Sequence, residues 1–248
     1  MISSEKAATA RDPGFYGLIE EPNPDLGMVN LGAVRVSGTD AGVFLHGQVT
    51  NEVQDLEPGR GNLSARVTRK GQLVEIFSLH RLPNESSQPE FLLLGEQDGI
   101  LKLRDNLDAF LFSEDVHFEI VSGSYMWVVV QGLASHEFLE RFSSEISTEI
   151  GERFEQGSVF EASFDDSGVK AFVFGRSLGG DPGYIWALPK NSHLTAKALV
   201  RLQEEAAALS LTPYEAPELG QLVEVLRLEA GMVRVGVDTP NKERLLPE

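Results

Sequence analysis

The chain has 248 residues, enough to bury a sizeable core as one large domain or two smaller ones. Its 38 acidic residues outweigh 21 basic ones, and the net charge of −17 argues against a nucleic-acid surface, which needs clustered Lys and Arg. It has no cysteine, which excludes disulfides, thiolate catalysis and cysteine-ligated metals.

The first 28 residues are polar and carry Pro13, Pro22, Pro24 and Gly27, so they are expected as a largely irregular N-terminal arm. They contain no apolar signal core, and no stretch approaches the ~18 continuous apolar residues of a membrane span. The expected localisation is cytoplasmic, with no membrane partner and no nucleic acid.

Residues 30–38 read as a strand ended by Ser37-Gly38, and 39–53 as a helix opened by Thr39 and Asp40. EPGRG (57–61) is a turn, LSARVT (63–68) a strand, and Arg69-Lys70-Gly71 a second turn before the strand QLVEIFSLHR (72–81). Residues 82–90 read as an exposed loop and FLLLG (91–95) as a strand. Ile100, Leu103, Leu107, Phe110 and Leu111 then recur at helical spacing. Two strands, 116–121 and 125–132, lead to a helix over 133–146, and three more strands follow at 159–164, 169–175 and 183–189. A helix spans 194–209, and a last one begins after Pro217, with Leu219, Leu222, Val223, Leu226 and Ala230 on one face and Gly231 as its stop. Strand pairs and helices alternate without a regular βαβ cadence, so the fold class is α+β. The expected organisation is an arm over 1–28, a first α+β lobe over 29–123 and a second over 124–248, meeting near 122–126.

One residue stands out. In the strand over 72–81, Glu75 shares a face with Leu73, Phe77 and Leu79. It is either a ligand or catalytic group in a cavity, or an edge charge that blunts aggregation. Elsewhere the chemical signals are weak. His46, His80, His117, His136 and His193 show no zinc spacing, and there is no GxSxG and no P-loop. RSLGGDPG (176–183) is glycine-rich but lacks the Lys-Ser/Thr of a phosphate cradle.

Three segments taken together carry a resemblance. VRVSGTDAGVFLHGQVTNEVQDLEPGRG (34–61) resembles the opening of the glycine-cleavage T-protein superfamily. SEDVHFEIVSGSYMWVVVQG (113–132) resembles the segment that opens the second half of that fold. LRLEAGMVRVGVD (226–238) is similar to its Arg-Leu-Glu-Ala-Gly segment with a downstream Gly-x-Asp. The resemblance implies two similar lobes of mixed or antiparallel sheet with helices, together forming one folate-binding domain. It also implies a central channel for tetrahydrofolate and a C-terminal barrel domain that lies outside this chain.

T-proteins carry an Asp-Asp pair in this strand, the second aspartate being catalytic. Aligning on Gly71 places Glu75 at the first and Ile76 at the second, and puts Leu63 at a folate-contacting tyrosine position. Ile76 cannot relay a proton, so the family's acid–base group is absent on this alignment. SARVTRKGQ (64–72) is closer to the YgfZ-like branch, folate-binding proteins that assist iron–sulfur cluster assembly or repair. That branch is marked by a Lys-Gly-Cys-x-x-Gly-Gln motif following the last segment. The present chain ends in RLLPE at that point, as either a two-domain fragment or a short form.

The resemblance thus implies a tetrahydrofolate-binding protein with iron–sulfur proteins as partners. Its alternatives are a tetrahydrofolate-dependent aminomethyl- or methyltransferase using Glu75, or a folate-free interaction module. The implied folate contacts are Arg227, Asp181, Glu75, Leu94 and Tyr184. Arg227 lies beside the apolar stripe of the last helix and would hold a carboxylate of the folate tail, so replacing it should spare the fold; its bland reading is a surface arginine. Asp181 would accept from the pterin edge, or else serve a turn before Pro182. Leu94 and Tyr184 would be apolar walls. Glu229 is expected to be structural.

Overall fold

The computed structural model describes residues 4–83, 88–142, 146, 155–164, 169–190 and 193–239. Parts of the expected 82–90 loop and 133–146 helix, and the RLLPE end, lie outside the described residues.

In chain order the elements are α1 (Ser4–Arg11), β1 (Phe15–Ile19), a 3-10 turn (Pro24–Val29), β2 (Leu31–Ser37), α2 (Ala41–His46), β3 (Gly61–Val67), β4 (Leu73–Arg81), β5 (Phe91–Glu96) and α3 (Gln97–Asp108). There follow β6 (His117–Ile120), β7 (Tyr125–Gln131), α4 (Ser135–Glu140), β8 (Val159–Phe164), β9 (Val169–Gly175), β10 (Gly183–Pro189), α5 (His193–Ala208), β11 (Thr212–Tyr214) and α6 (Glu218–Glu229). The fold is α+β.

The chain divides into two compact units, and the division is not sequential. The described residues up to Asn30 join Gly123–Met232, and Leu31–Ser122 are joined by the described residues from Val233.

The first unit is built on a sheet in the order β11-β1-β7-β10-β9-β8, antiparallel except for the β1–β11 pair. Val128, Val130, Tyr184, Trp186 and Val173 share one face and pack with Phe138 of α4 and Ala198, Leu202 and Ala206 of α5. Trp186 is the hub, its ring centroid 5.1 Å from Phe142, 5.9 Å from Phe138 and 6.1 Å from Phe164. Helix α6 lies on the other face. A Cβ on Gly17 of β1 would stand 2.4 Å from Leu219, and one on Gly220 would stand 2.2 Å from the Asp25 carbonyl oxygen.

The second unit holds an antiparallel sheet in the order β3-β4-β5-β2-β6. Helix α3 packs on the face carrying Val34, Val36, Phe77, Leu79 and Leu93, and contributes Ile100, Leu103 and Leu107 to that core. Among the described residues no helix is long and apolar enough to cross a membrane.

Two expectations are corrected. The N-terminal arm is not irregular: Phe15 and Ile19 are buried, and β1 is paired on both sides, by β7 and β11. Its partners are more than a hundred residues away in sequence, so local composition could not reveal them; the prolines sit only at its borders. Helix α2 stops at His46 rather than running to residue 53, because beyond Gly47 the backbone turns to the sheet and the Thr50 N–H donates to the Ala65 carbonyl (3.0 Å).

Gly220 gives the first test. In an isolated helix Gly→Ala stabilises, but here the added methyl collides with backbone at Asp25. Gly220→Ala is expected to destabilise the protein by about 1–3 kcal/mol, the usual range for an overpacked core. Chemical denaturation measures this, and a gain in stability would contradict the packing.

Candidate functional site

A cavity of about 420 Å³ opens in the second unit beside the start of β4, the first turn of α3 and the turn over 235–239. Strand alternation turns Glu75 to the same face as Phe77 and Leu79, and it is 8% exposed. The side chain is therefore an inward carboxylate and not an edge charge. It lies where the apolar core gives way to the cavity, against the first turn of α3, whose N-terminal dipole favours a negative group. Its Oε1 accepts the N–H of Ile76 at 3.0 Å. The cross-strand neighbour Arg66 sends its guanidinium to the Asn106 amide oxygen (2.9 Å) and the Gln48 carbonyl (2.7 Å), stacked over Phe110. Burial lowers the Arg66 pKa from its ordinary value.

The opposite wall depends on a two-pronged ion pair. Arg234 donates through Nε and Nη2 to the two carboxylate oxygens of Glu96, at 2.8 and 2.5 Å. Its backbone N–H is held by Asp238 (2.8 Å), while the Val237 and Asp238 N–H groups return to the Arg234 carbonyl at 3.2 and 3.0 Å. Gly236, at φ +80°, allows the turn, and its N–H donates to the Thr239 hydroxyl (2.9 Å). Asp98 and the exposed Lys102, on α3, also line the cavity. A buried carboxylate in a polar cavity of this size suits a ligand that presents adjacent N–H donors. Among the described residues no group of three or more His, Asp or Glu side chains is arranged to hold a metal ion.

The remaining expected site residues are placed elsewhere. Ile76 pairs with Ala65 and turns to the sheet face opposite Glu75, with Leu63 and Leu94; Leu63 is 47% exposed and Leu94 fully buried. Glu75 and Ile76 therefore do not share the cavity. In the first unit, Tyr184 is a core residue, 1% exposed, with its hydroxyl hydrogen-bonded to His136 Nδ1 at 2.7 Å. Burial, with a further push from Glu140, raises its pKa well above the ordinary tyrosine value. Asp181 pairs with Arg11 of α1, whose guanidinium also reaches the Gly179 carbonyl (3.2 Å) and Glu229 (3.0 Å). The two carboxylates, the Glu229 hydrogen bond foremost, raise the Arg11 pKa.

Arg227 departs from both of its sequence readings. It is 1% exposed and not at the surface; Nε donates to Glu224 (2.8 Å), Nη2 to the same carboxylate, and Nη1 to the Met232 carbonyl (2.9 Å). The wheel put it at the flank of the stripe, but the chain after Gly231 (φ +70°) folds back over that flank.

Sequence reasoning missed Gly99, Glu96 and Arg234. A glycine in the first turn of a helix was the available signal for the first. Arg234 lay inside the 226–238 segment that carried the resemblance, seven positions beyond the arginine singled out there.

The family model of the GCVT N-terminal domain matches residues 26–246. The chain belongs to this family. It is 24% identical over 211 residues to an aminomethyltransferase of Thermosipho melanesiensis, covering 84% of this chain and 52% of that protein. It is 26% identical over 161 residues to an aminomethyltransferase of Exiguobacterium sibiricum, covering 64% and 41%. The chain thus spans about half the length of the curated relatives it matches. Its fold is similar to that of the glycine cleavage system aminomethyltransferase T from Bartonella henselae, with a TM-score of 0.65 at 17% identity, over 93% of this chain and 54% of that one.

The Arg227 geometry sets a second test. Arg227→Met should remove the guanidinium and leave the Met232 carbonyl without that donor. The expected loss is about 1.5–3 kcal/mol of stability, as for hydrogen bonds to charged groups. Thermal unfolding measures it; a melting temperature equal to the parent's would show that these bonds hold nothing.

Proposed function

We propose that this chain is a reduced-folate-binding protein of the YgfZ-like type, supporting iron–sulfur cluster assembly or repair in the cytoplasm. The observation that carries the reading is the single inward acid of β4: Glu75 enters the cavity, and Ile76 turns to the other face. A site with one buried carboxylate is suited to hold a ligand. On the Gly71 alignment the aminomethyltransferases carry a second acid one residue on; in this chain that position is Ile76, on the opposite face of the strand.

Tetrahydrofolate fits the groups present. Cavities for small molecules run to about 300–1,000 Å³, and about 420 Å³ is available here. Glu75 would accept from the amino and ring N–H groups of the pterin, and exposed Lys102 would meet an anionic part of the molecule. Bound tetrahydrofolate would supply a carrier for one-carbon units. The chain's own part is to orient the pterin edge by the Glu75 carboxylate and to close the cavity with the Arg234–Glu96 pair. Asp181, Tyr184, Leu94 and Arg227 are engaged in the fold, and any folate role for them would be exerted through those contacts.

A second reading, a tetrahydrofolate-dependent aminomethyl- or methyltransferase, draws on the same observation, since a buried carboxylate in a cavity is also a general-base candidate. The test separates them. Calorimetric titration with 5-formyltetrahydrofolate should show saturable binding, weakened roughly 10- to 150-fold in Glu75→Gln for a lost charge-assisted hydrogen bond. A methylamine-transfer assay should show no turnover above background. Turnover abolished by Glu75→Gln would establish the enzyme; absence of folate binding would reject both.

A further inference from the structure

The geometry points to Gly99 as the residue that positions the Glu75 carboxylate, and so sets which N–H donors the cavity accepts. This rests on the reading of Glu75 as a ligand contact. Gly99 occupies the third position of α3, where alanine would make a better helix. The space explains the glycine. A Cβ there would stand 1.9 Å from Glu75 Oε2, 2.5 Å from its Cδ and 3.1 Å from Oε1.

These three nearest atoms belong to one side chain. At Gly32 and Gly220, by contrast, the nearest atom is backbone, at 2.7 and 2.2 Å. A methyl at position 99 therefore leaves helix and sheet in place and displaces the far end of a flexible carboxylate. That carboxylate lines the cavity between the start of β4 and the first turn of α3. Reaching even the closest tolerable contact of 3.0 Å requires a shift of more than an ångström, which breaks the alignment of Oε1 with the Ile76 N–H. Gly99 is thus a positioning residue: it contributes no atom to the ligand, and lets the acceptor sit flush with the wall.

The test is a double-mutant cycle of Gly99→Ala with Glu75→Gln, read three ways. In protein labelled at glutamate carboxyl carbons, the Glu75 resonance is assigned by its loss in Glu75→Gln. Gly99→Ala should move that resonance while the melting temperature stays level or rises. Affinity for 5-formyltetrahydrofolate should fall about tenfold, as expected for a misplaced charge-assisted bond. That fall should disappear in the Glu75→Gln background. An unmoved resonance overturns the inference, as does an affinity loss of the same size with and without the carboxylate. Should the parent protein fail to bind 5-formyltetrahydrofolate, the folate reading falls, and the resonance alone decides whether Gly99 positions Glu75.

Discussion

The close seating of α3 on its sheet is the constraint from which the cavity follows. Gly32 of β2 and Gly95 of β5 present no side chain to the helix; a Cβ on either would meet Gln97 or Ile100 at 3.0 Å or less. Brought this near, the first turn of α3 faces the start of β4, and Gly99 leaves room there for one carboxylate. The inward face is otherwise filled by Phe77, Leu79 and Ile100, so Glu75 marks the line where the packed core ends. A carboxylate at that line keeps access to a polar cavity on one side and lies by the positive end of a helix on the other. Hydrophobic packing and site chemistry are consequences of the same helix–sheet distance.

The two-residue period of a strand then limits the chemistry. Adjacent residues of β4 point to opposite faces, so an acid at 75 and a residue at 76 serve different surroundings whatever their identity. An alignment gives their order but not their faces. The register does: Ile76 pairs with Ala65, and Glu75 with Arg66, on opposite sides of the sheet. The cavity consequently has a single inward acid from this strand.

Most of the strands were legible because runs such as YMWVVVQ and GYIWALP need no distant information to be recognised, and α3, α5 and α6 because their apolar residues recur at helical spacing. The inward direction of Glu75 was legible too, from its alternation with Phe77 and Leu79, but the register shift that sets Leu73 opposite Val67 was not. What escaped was set by long-range partners. Strand β1 exists because β7 and β11 flank it, and Asp181 is bound by an arginine some 170 positions away. Arg227 looked peripheral on a helical wheel, which shows one helix without the chain that folds back over it. Residues 234–239 belong with the second unit although they follow the last helix of the first, and nothing local announces such a return.

The use of arginine in this acidic chain completes the account. With 21 basic residues against 38 acidic ones, general charge balance is out of reach, and Arg11, Arg227 and Arg234 stand instead at joints. Arg11 draws Asp181, Glu229 and the Gly179 carbonyl together, Arg227 ties the end of α6 to Met232, and Arg234 pins the returning segment to Glu96. Each is planar and forked, so it fixes direction as well as distance, which lysine would not. The cavity is lined by the carboxylates of Glu75, Glu96 and Asp98 and by Lys102, with Glu96 held by Arg234. Such a lining favours N–H donors in the interior and disfavours anions there. A ligand with N–H donors at one end and anionic groups at the other would be oriented by that field, its donors toward Glu75 and its anionic groups toward Lys102 and solvent.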